Sequence, residues 1–207
     1  MKKLFTLFII IIISSNSLSC LEKENKKYLP KGYHRIKLDV KNNITKSFSF
    51  DDSKFSFKIP DYFETYSNTN ENSSKNYLEI TLHNKKHNLS FILNYREIQN
   101  NLSKLIEEAY NPQIFNTADG IIETKDEEGK ILIYELKGNV ANPYLFHVTD
   151  KHKHFLHGMM FVCSDPKKKC QINIDSLQPI IKYFEKDMYN LINSLKWSQK
   201  ETNDVQF

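Results

Sequence analysis

The chain has 207 residues, 40% of them hydrophobic, which is enough for one domain with a substantial core. Its 29 lysines and arginines nearly balance 25 aspartates and glutamates, and two of those lysines belong to an N-terminal segment described next. This balance argues against nucleic acid as a partner. With only five glycines, the chain is also a poor candidate for a glycine-rich phosphate-binding loop.

Residues 1–19 have the pattern of a secretory signal peptide. Lys2 and Lys3 form a short basic region, and an apolar run from Leu4 to Ile13 follows it. The run is shorter than the roughly 20 apolar residues that cross a bilayer. We therefore expect this segment to direct export and not to anchor the chain.

Leu18-Ser19-Cys20 resembles the bacterial lipobox, in which a small residue precedes a cysteine that becomes acylated. Ser17 departs from the pattern, because a lipobox usually has leucine there, although relaxed lipoboxes are common in some bacteria. The sequence predicts that Cys20 is the lipidation site. Several acyl chains, at about 0.8 kcal/mol per buried CH₂, anchor a protein stably without a transmembrane helix. The alternative is a soluble secreted protein in which Cys20 has no role.

Four segments are predicted along the chain. The signal peptide of residues 1–19 is followed by a charged, aperiodic tether at 20–31, a single globular domain at 32–197 and a polar tail at 198–207.

Alternation of apolar and polar residues predicts the strands of the domain. The strands are expected at 33–40, 48–50, 55–59, 78–82, 89–95, 120–125, 131–136, 144–148 and 154–163. The segment 78–95 is predicted to be an antiparallel hairpin with its turn in HNKKHN. The polar stretch 64–76 is predicted to be a surface loop.

Two helices are predicted. The first begins after Asn101, which can cap it, carries apolar residues at helical spacing through Ala109 and stops before Pro112. The second is a C-terminal helix of about 20 residues, with Asp175 as the expected N-cap and Pro179 in its first turn. Its apolar stripe is expected to pack on a sheet, and contact with a partner helix is the alternative. The stripe comprises Leu177, Ile180, Ile181, Phe184, Met188, Leu191, Ile192 and Leu195.

The order strands, helix, strands, helix, with short turns between most strands, predicts an α+β fold. We expect an antiparallel sheet covered by two helices, the second of them the long amphipathic C-terminal helix. Asp175-Ser176-Leu177 also resembles a bacterial O-glycosylation motif, but we favour its interpretation as a helix cap.

The segment HVTDKHKHFLHG, residues 147–158, contains four of the seven histidines. If Asp150 and Lys151 form the tip of a hairpin, His147 faces His154 on the opposite strand. His147, His152 and His154 would then share one face, with His157 on the other. These three are candidate metal ligands, but surface histidines at the end of a hairpin are the simpler interpretation, and we predict no metal or other cofactor.

Cys163 and Cys170 bracket the turn-like sequence SDPKKK. In an exported protein such a pair can form a disulfide, which would stabilise the fold by roughly 2.5 kcal/mol for a loop of this length. Free thiols on neighbouring strands are the alternative, and the spacing matches no zinc-binding pattern.

Six segments together resemble the gliding-motility lipoprotein GldD family of Bacteroidota. They are YLPKGYHRIKL (28–38), FSFKIPDYF (55–63), NNLSKLIEEAY (100–110), YELKGNVANPYLFHVTD (134–150), KHFLHG (153–158) and DSLQPIIKYFEKDMYNLINSLKW (175–197). The chain departs from the family pattern at His157, where members often carry arginine, in the long 64–76 segment and in the Cys163–Cys170 insert.

The resemblance implies a lipid-anchored protein of the cell envelope, required for gliding by machinery linked to type IX secretion. It implies partners among other gliding-motility envelope proteins and attachment to a membrane through Cys20. Because Leu21-Glu22-Lys23-Glu24 is not a clear surface-export tag, we expect the domain to face the periplasm. No nucleophile elbow, Walker loop, HExxH or CxxC motif is present, so we predict a non-enzymatic role. The alternative is a periplasmic ligand-binding module, because FSFKIPDYF, the sheet and the terminal helix also resemble the PsbP-like α/β sandwich.

Overall fold

Apolar side chains alternate along several strands of this protein, as the sequence predicts. A computed structural model describes residues 44–50, 54–68, 77–110, 112–165, 167 and 173–198. The strands in this part of the chain are β1 Thr45–Phe50, β2 Phe55–Pro60, β3 Glu64–Asn68, β4 Tyr77–Asn84, β5 Leu89–Glu97, β6 Gly120–Lys125, β7 Ile131–Lys137, β8 Tyr144–Thr149, β9 His154–Val162 and β10 Lys196–Trp197. The helices are α1 Leu102–Ala109, α2 Pro112–Phe115 and α3 Ile174–Ser194.

The strands form two antiparallel sheets. Seven of them pair in the order β3-β4-β5-β9-β8-β7-β6, and three pair in the order β1-β2-β10. The β4–β5 hairpin lies where the sequence predicts it, with Leu82 opposite Phe91 and the turn at 85–88. The α+β prediction is therefore confirmed.

The seven-stranded sheet has helices on both faces. One face, which we call the core face, packs against α3 and the three-stranded sheet through aromatic and aliphatic side chains. Phe184 of α3 is fully buried there, with its ring 5.7 Å from that of Phe63. The opposite face, which we call the α1 face, carries a smaller cluster that includes Phe115 and Leu145, and Leu105 of α1 is buried beside it.

Both helix starts differ in detail from the prediction. The N-cap of α3 is Asn173, whose side chain accepts a hydrogen bond from the Ser176 amide, so the prediction of Asp175 is wrong. Pro179 consequently lies beyond the first turn. Asn101 does occupy the N-cap of α1, but its side chain accepts from the Gln99 amide and makes no bond into the helix.

Three of the described elements were not predicted from the sequence. Residues 64–68 form the edge strand β3, although 64–76 was expected to be a loop, because pairing with β4 satisfies their backbone without requiring apolar side chains. Trp197 and Lys196 form β10 against β2, and residues 112–115 form the short helix α2.

The predicted strand at 33–40 lies outside the described residues, as do the signal peptide, the tether and most of the polar tail. None of the described helices has the length and apolar character that a membrane crossing requires.

Candidate functional site

The register of the β8–β9 hairpin decides where its histidines point. His147 lies opposite His157, and Thr149 lies opposite Phe155. The predicted pairing of His147 with His154 is therefore wrong by three residues. His147 and His157 share the α1 face, whereas His154 lies on the core face and His152 is exposed in the turn.

The turn itself explains the shift in register. The Asp150 carboxylate accepts hydrogen bonds from the amides of His152, Lys153 and His154 at 3.0, 2.8 and 2.8 Å. Lys151 adopts a left-handed backbone conformation with φ of 67°. These side-chain bonds hold a wider turn than the two-residue tip that the sequence suggested. Although partial burial raises the pKa of Asp150, the three amide bonds outweigh it and lower that pKa.

The three candidate metal ligands do not converge. His147 and His154 lie on opposite faces of the sheet, and His152 stands in the solvent-exposed turn. Within the described ranges, no group of three or more histidine, cysteine, aspartate or glutamate side chains could hold a metal ion.

His154 is part of an aromatic cluster on the core face. Its Nδ1 lies 2.8 Å from the Tyr95 hydroxyl, and its ring stacks on Trp197 at 5.2 Å with an interplanar angle of 8°. Burial lowers the pKa of His154 and raises that of Tyr95. The cluster joins β5 and β9 to β10, so this histidine has a structural role.

A row of polar side chains crosses the α1 face. Glu79 of β4, Asn94 of β5, His157 of β9 and His147 of β8 occupy successive register positions. Residues directly opposite in an antiparallel pair have Cβ atoms about 5 Å apart, so neighbouring members of this row are close. Polar side chains on a sheet face that a helix covers are unusual, which makes this row the strongest candidate for a functional site.

The two histidines of the row are held in the neutral state. Burial lowers the pKa of His147 to about 4. Burial also lowers the pKa of His157 to about 4, with a further lowering from nearby His147 and an opposing contribution from a hydrogen bond to the Phe146 backbone. The His157 Nδ1 atom is buried and has no hydrogen-bond partner.

A cleft of about 210 Å³ lies over two members of this row, Asn94 and His157. Its polar side is formed by Asn94, Arg96, Glu108, Tyr77 and His157. Its apolar side is formed by Leu105, Ala109, Ile114, Phe155 and Met159. The cleft thus lies between the sheet and the helices α1 and α2.

An ion pair connects helix α1 to the sheet at this cleft. The Arg96 guanidinium lies 2.5 Å from the Glu108 carboxylate and 5.5 Å from the centre of the Tyr77 ring. The Tyr77 hydroxyl donates to Asn94 Oδ1 at 3.0 Å. Both members of the ion pair are exposed by about two fifths, so it contributes little to stability.

Sequence reasoning also missed a buried carboxylate on α3. Asp187 is 3% exposed and accepts a hydrogen bond from the Tyr62 hydroxyl at 2.5 Å. Burial and this bond raise the pKa of Tyr62. A signal was available, because position 187 follows Phe184 by three residues and precedes Leu191 by four, and this spacing puts it on the apolar stripe.

Of the three cysteines with a predicted covalent role, the structure describes only one. Cys163 is disulfide-bonded, and Cys170 lies outside the described residues, so their pairing stays a prediction. Cys20 also lies outside that part of the chain.

Fold and site together define a class: an α+β protein built on a large antiparallel sheet, with a cleft between that sheet and two helices. The family model described as "Gliding motility lipoprotein GldD" matches residues 23–197, and the chain belongs to that family. Membership gives it an accessory role in gliding motility and a membrane-anchored place in the cell envelope.

Two further comparisons were made. No curated protein matches the chain. Among solved structures, the solution structure of cyanobacterial PsbP (CyanoP) from Synechocystis sp. PCC 6803 is similar, with a TM-score of 0.44 and 12% identity over 78% of this chain and 99% of that one.

Proposed function

We propose that this protein is held at a membrane by lipid on Cys20, faces the periplasm and acts by binding other envelope proteins of the gliding machinery, which is linked to type IX secretion. The family match carries this proposal, because it covers residues 23–197 and begins three residues after Cys20. Lipid attachment confines the domain to the membrane surface, which raises its effective concentration near membrane partners.

A non-catalytic role is supported by the cleft. Its ten lining residues include no serine, threonine or cysteine that could serve as a nucleophile. Its histidine is neutral and faces no acidic partner that would orient it as a general base.

The proposed division of the chain into segments is the one that the sequence predicts. Residues 1–19 direct export and are removed, 20–31 form the lipidated tether, 32–197 form one domain and 198–207 form a polar tail. Ser198 still donates its amide to the Lys54 carbonyl at 2.9 Å, so the tail proper starts after it.

Replacing the lipidated cysteine tests the anchoring. We expect Cys20→Ala to yield a folded protein that leaves the membrane fraction, no longer incorporates labelled palmitate and supports little gliding, because the acyl chains supply the membrane affinity. Ser19→Ala is the matched control, since it keeps a small residue before the cysteine and should behave as wild type. Normal membrane fractionation of Cys20→Ala would falsify the anchoring.

A second candidate function is that of a ligand-binding module, which the cleft favours. Ala109 is the last residue of α1 and lines the cleft. We expect Ala109→Phe to fill the cleft and to reduce gliding if an occupied cleft is needed. Glu107→Phe, on the exposed side of the same helix, is the control for adding an aromatic ring. Wild-type gliding by a stable Ala109→Phe protein would exclude this candidate.

A further inference from the structure

Strand β6 ends the seven-stranded sheet with an open edge. Among the described strands it pairs with β7 alone, in an unbroken register from Gly120 to Lys125. Ile121 and Ile122 are 45% and 48% exposed, and as neighbours on a strand they lie on opposite faces of the sheet. A further strand on this edge would cover both isoleucines.

The pairing with β7 decides which backbone groups of β6 are turned outwards. Just past the end of the strand, the Asp126 amide donates to the Ile131 carbonyl at 3.2 Å. Residues that bond to the neighbouring strand alternate in an antiparallel pair, so Thr124 and Ile122 also bond to β7. The residues whose amides and carbonyls point away from the sheet are Ile121, Glu123 and Lys125.

A hydrogen bond on the other side of β7 agrees with this alternation. Leu136 lies opposite Ile121, yet its amide donates to the Pro143 carbonyl at 2.9 Å, next to β8. Leu136 therefore turns its amide away from Ile121. The outer edge of β6 thus presents amide donors and carbonyl acceptors at every second residue, which is the pattern that another β-strand satisfies.

A second copy of β6 fits this edge. Two-fold symmetry pairs the strands antiparallel, and only outward-turned residues can exchange bonds, so the axis passes through a residue and not between two residues. An axis at Glu123 would set two carboxylates directly opposite each other, which is destabilising, and an axis at Thr124 would pair only the last three residues of each strand. An axis at Ile122 sets the two Ile122 side chains against each other.

The charges of the edge are complementary in the register centred on Ile122. Lys125 of one copy is then level with Asp119 of the other, and the two-fold axis repeats this pair. Both residues are exposed. Moving the axis to Ile121 would instead bring Glu123 level with Asp119, which are two like charges.

We propose that a second copy of this chain docks on β6, with the two strands antiparallel about a two-fold axis at Ile122, so that the two sheets continue into each other. This inference goes beyond the proposed function and depends on neither the lipid anchor nor the cleft. A single pair of strands is smaller than the roughly 1,200 Å² of stable interfaces, so the association is weak and is best measured by trapping it.

Cysteine replacements on β6 test the register. At the axis the two residues form a non-hydrogen-bonded pair with Cα atoms about 4.5 Å apart, which a disulfide can span. Ile122→Cys should therefore give a disulfide-linked dimer when intact cells that express the full-length chain are treated with diamide, a thiol oxidant. Thr124→Cys is the matched control on the same strand face, because its two copies would lie four residues apart along the strand, about 14 Å.

We expect about tenfold more dimer, at twice the mass of the chain on a non-reducing gel, from Ile122→Cys than from Thr124→Cys or from wild type. Wild type gives the background from the other cysteines. Lys125→Glu in the Ile122→Cys background should slow dimer formation about fivefold, because it sets two carboxylates against Asp119. Lys104→Glu, the same change of charge on the exposed side of α1, should leave the rate unchanged.

Three results would overturn this inference: no dimer from Ile122→Cys, as much dimer from Thr124→Cys, or an unchanged rate with Lys125→Glu. A disulfide-linked product of another mass would show that β6 binds a strand of a different protein, and the choice of a second copy would then be wrong.

Discussion

Acidification from about pH 7.5 to about pH 4.5 is expected to lower the free energy of unfolding by roughly 5 kcal/mol through the buried His147 and the partly buried His157. His147 and His157 have pKa values near 4 in the folded protein, against about 6.5 in the unfolded chain. Since typical domains are stable by only 5–15 kcal/mol, an effect of this size takes the protein close to unfolding.

The direction of this change in stability follows from whether the folded or the unfolded state binds more protons. Between about pH 6.5 and about pH 4 the unfolded chain protonates these histidines and the folded protein does not, so stability falls as the pH falls through this window. The lowered pKa of His154 acts in the same direction. Asp150 affects stability at lower pH. Because its pKa is lowered in the folded protein, its ionised carboxylate stabilises the fold until it is protonated.

Urea denaturation followed by circular dichroism at a series of pH values measures the effect. His147→Phe and His157→Phe should each remove about half of the loss in stability, because a ring that cannot be protonated replaces one that resists protonation. His152→Gln, in the exposed turn, should leave the pH dependence as it is. Equal pH profiles for wild type and the His147→Phe, His157→Phe double variant would show that these histidines are not the cause.

Gly158→Ala is expected to destabilise the fold by about 3 kcal/mol, at the upper end of what overpacking costs. Gly158 lies opposite Phe146, and an added Cβ would lie 2.2 Å from Cζ of that ring and 2.6 Å from each Cε. Phe146 is 1% exposed and packed in the core, so its ring cannot move away without disturbing its neighbours. Chemical denaturation of the two proteins measures the difference.

Another strand glycine serves as the matched control. A Cβ on Gly120 would have Lys137 Cβ as its nearest neighbour, at 3.8 Å, so Gly120→Ala should change stability by less than about 0.5 kcal/mol. Phe146→Leu should relieve the clash, so the Gly158→Ala, Phe146→Leu double variant should be more stable than the two single effects predict. Wild-type stability of Gly158→Ala would contradict the close contact.

Local patterns were enough to predict most of the sheet. Apolar alternation placed β2, β4, β5 and β7 correctly because at least one face of each strand packs against other elements, which leaves a period of two in the sequence. The edge strand β3 and the short strand β10 were missed, since neither has that period and both depend on backbone pairing with a neighbour.

The candidate site was predicted only in part. The sequence indicated the segment 147–158 as unusual, but the assignment of histidines to faces required the register of β8 and β9. That register depends on the three amide bonds of the Asp150 carboxylate, which no hydrophobic pattern encodes. The neighbours of His157, which are Asn94 on β5 and the helix α1, come from distant parts of the chain.

The sequence by itself determined the family, the α+β class, the long C-terminal helix and the expectation of a lipid on Cys20, because signal, motif and periodicity are local properties. The tertiary structure alone decided that His147 and His157 lie opposite each other on one face of the sheet, that His154 stacks on Trp197, and that a cleft lies between that face and the helices. Those features arise where strands distant in sequence are brought into register and a helix covers them, and that arrangement sets both the burial and the charge state of each imidazole.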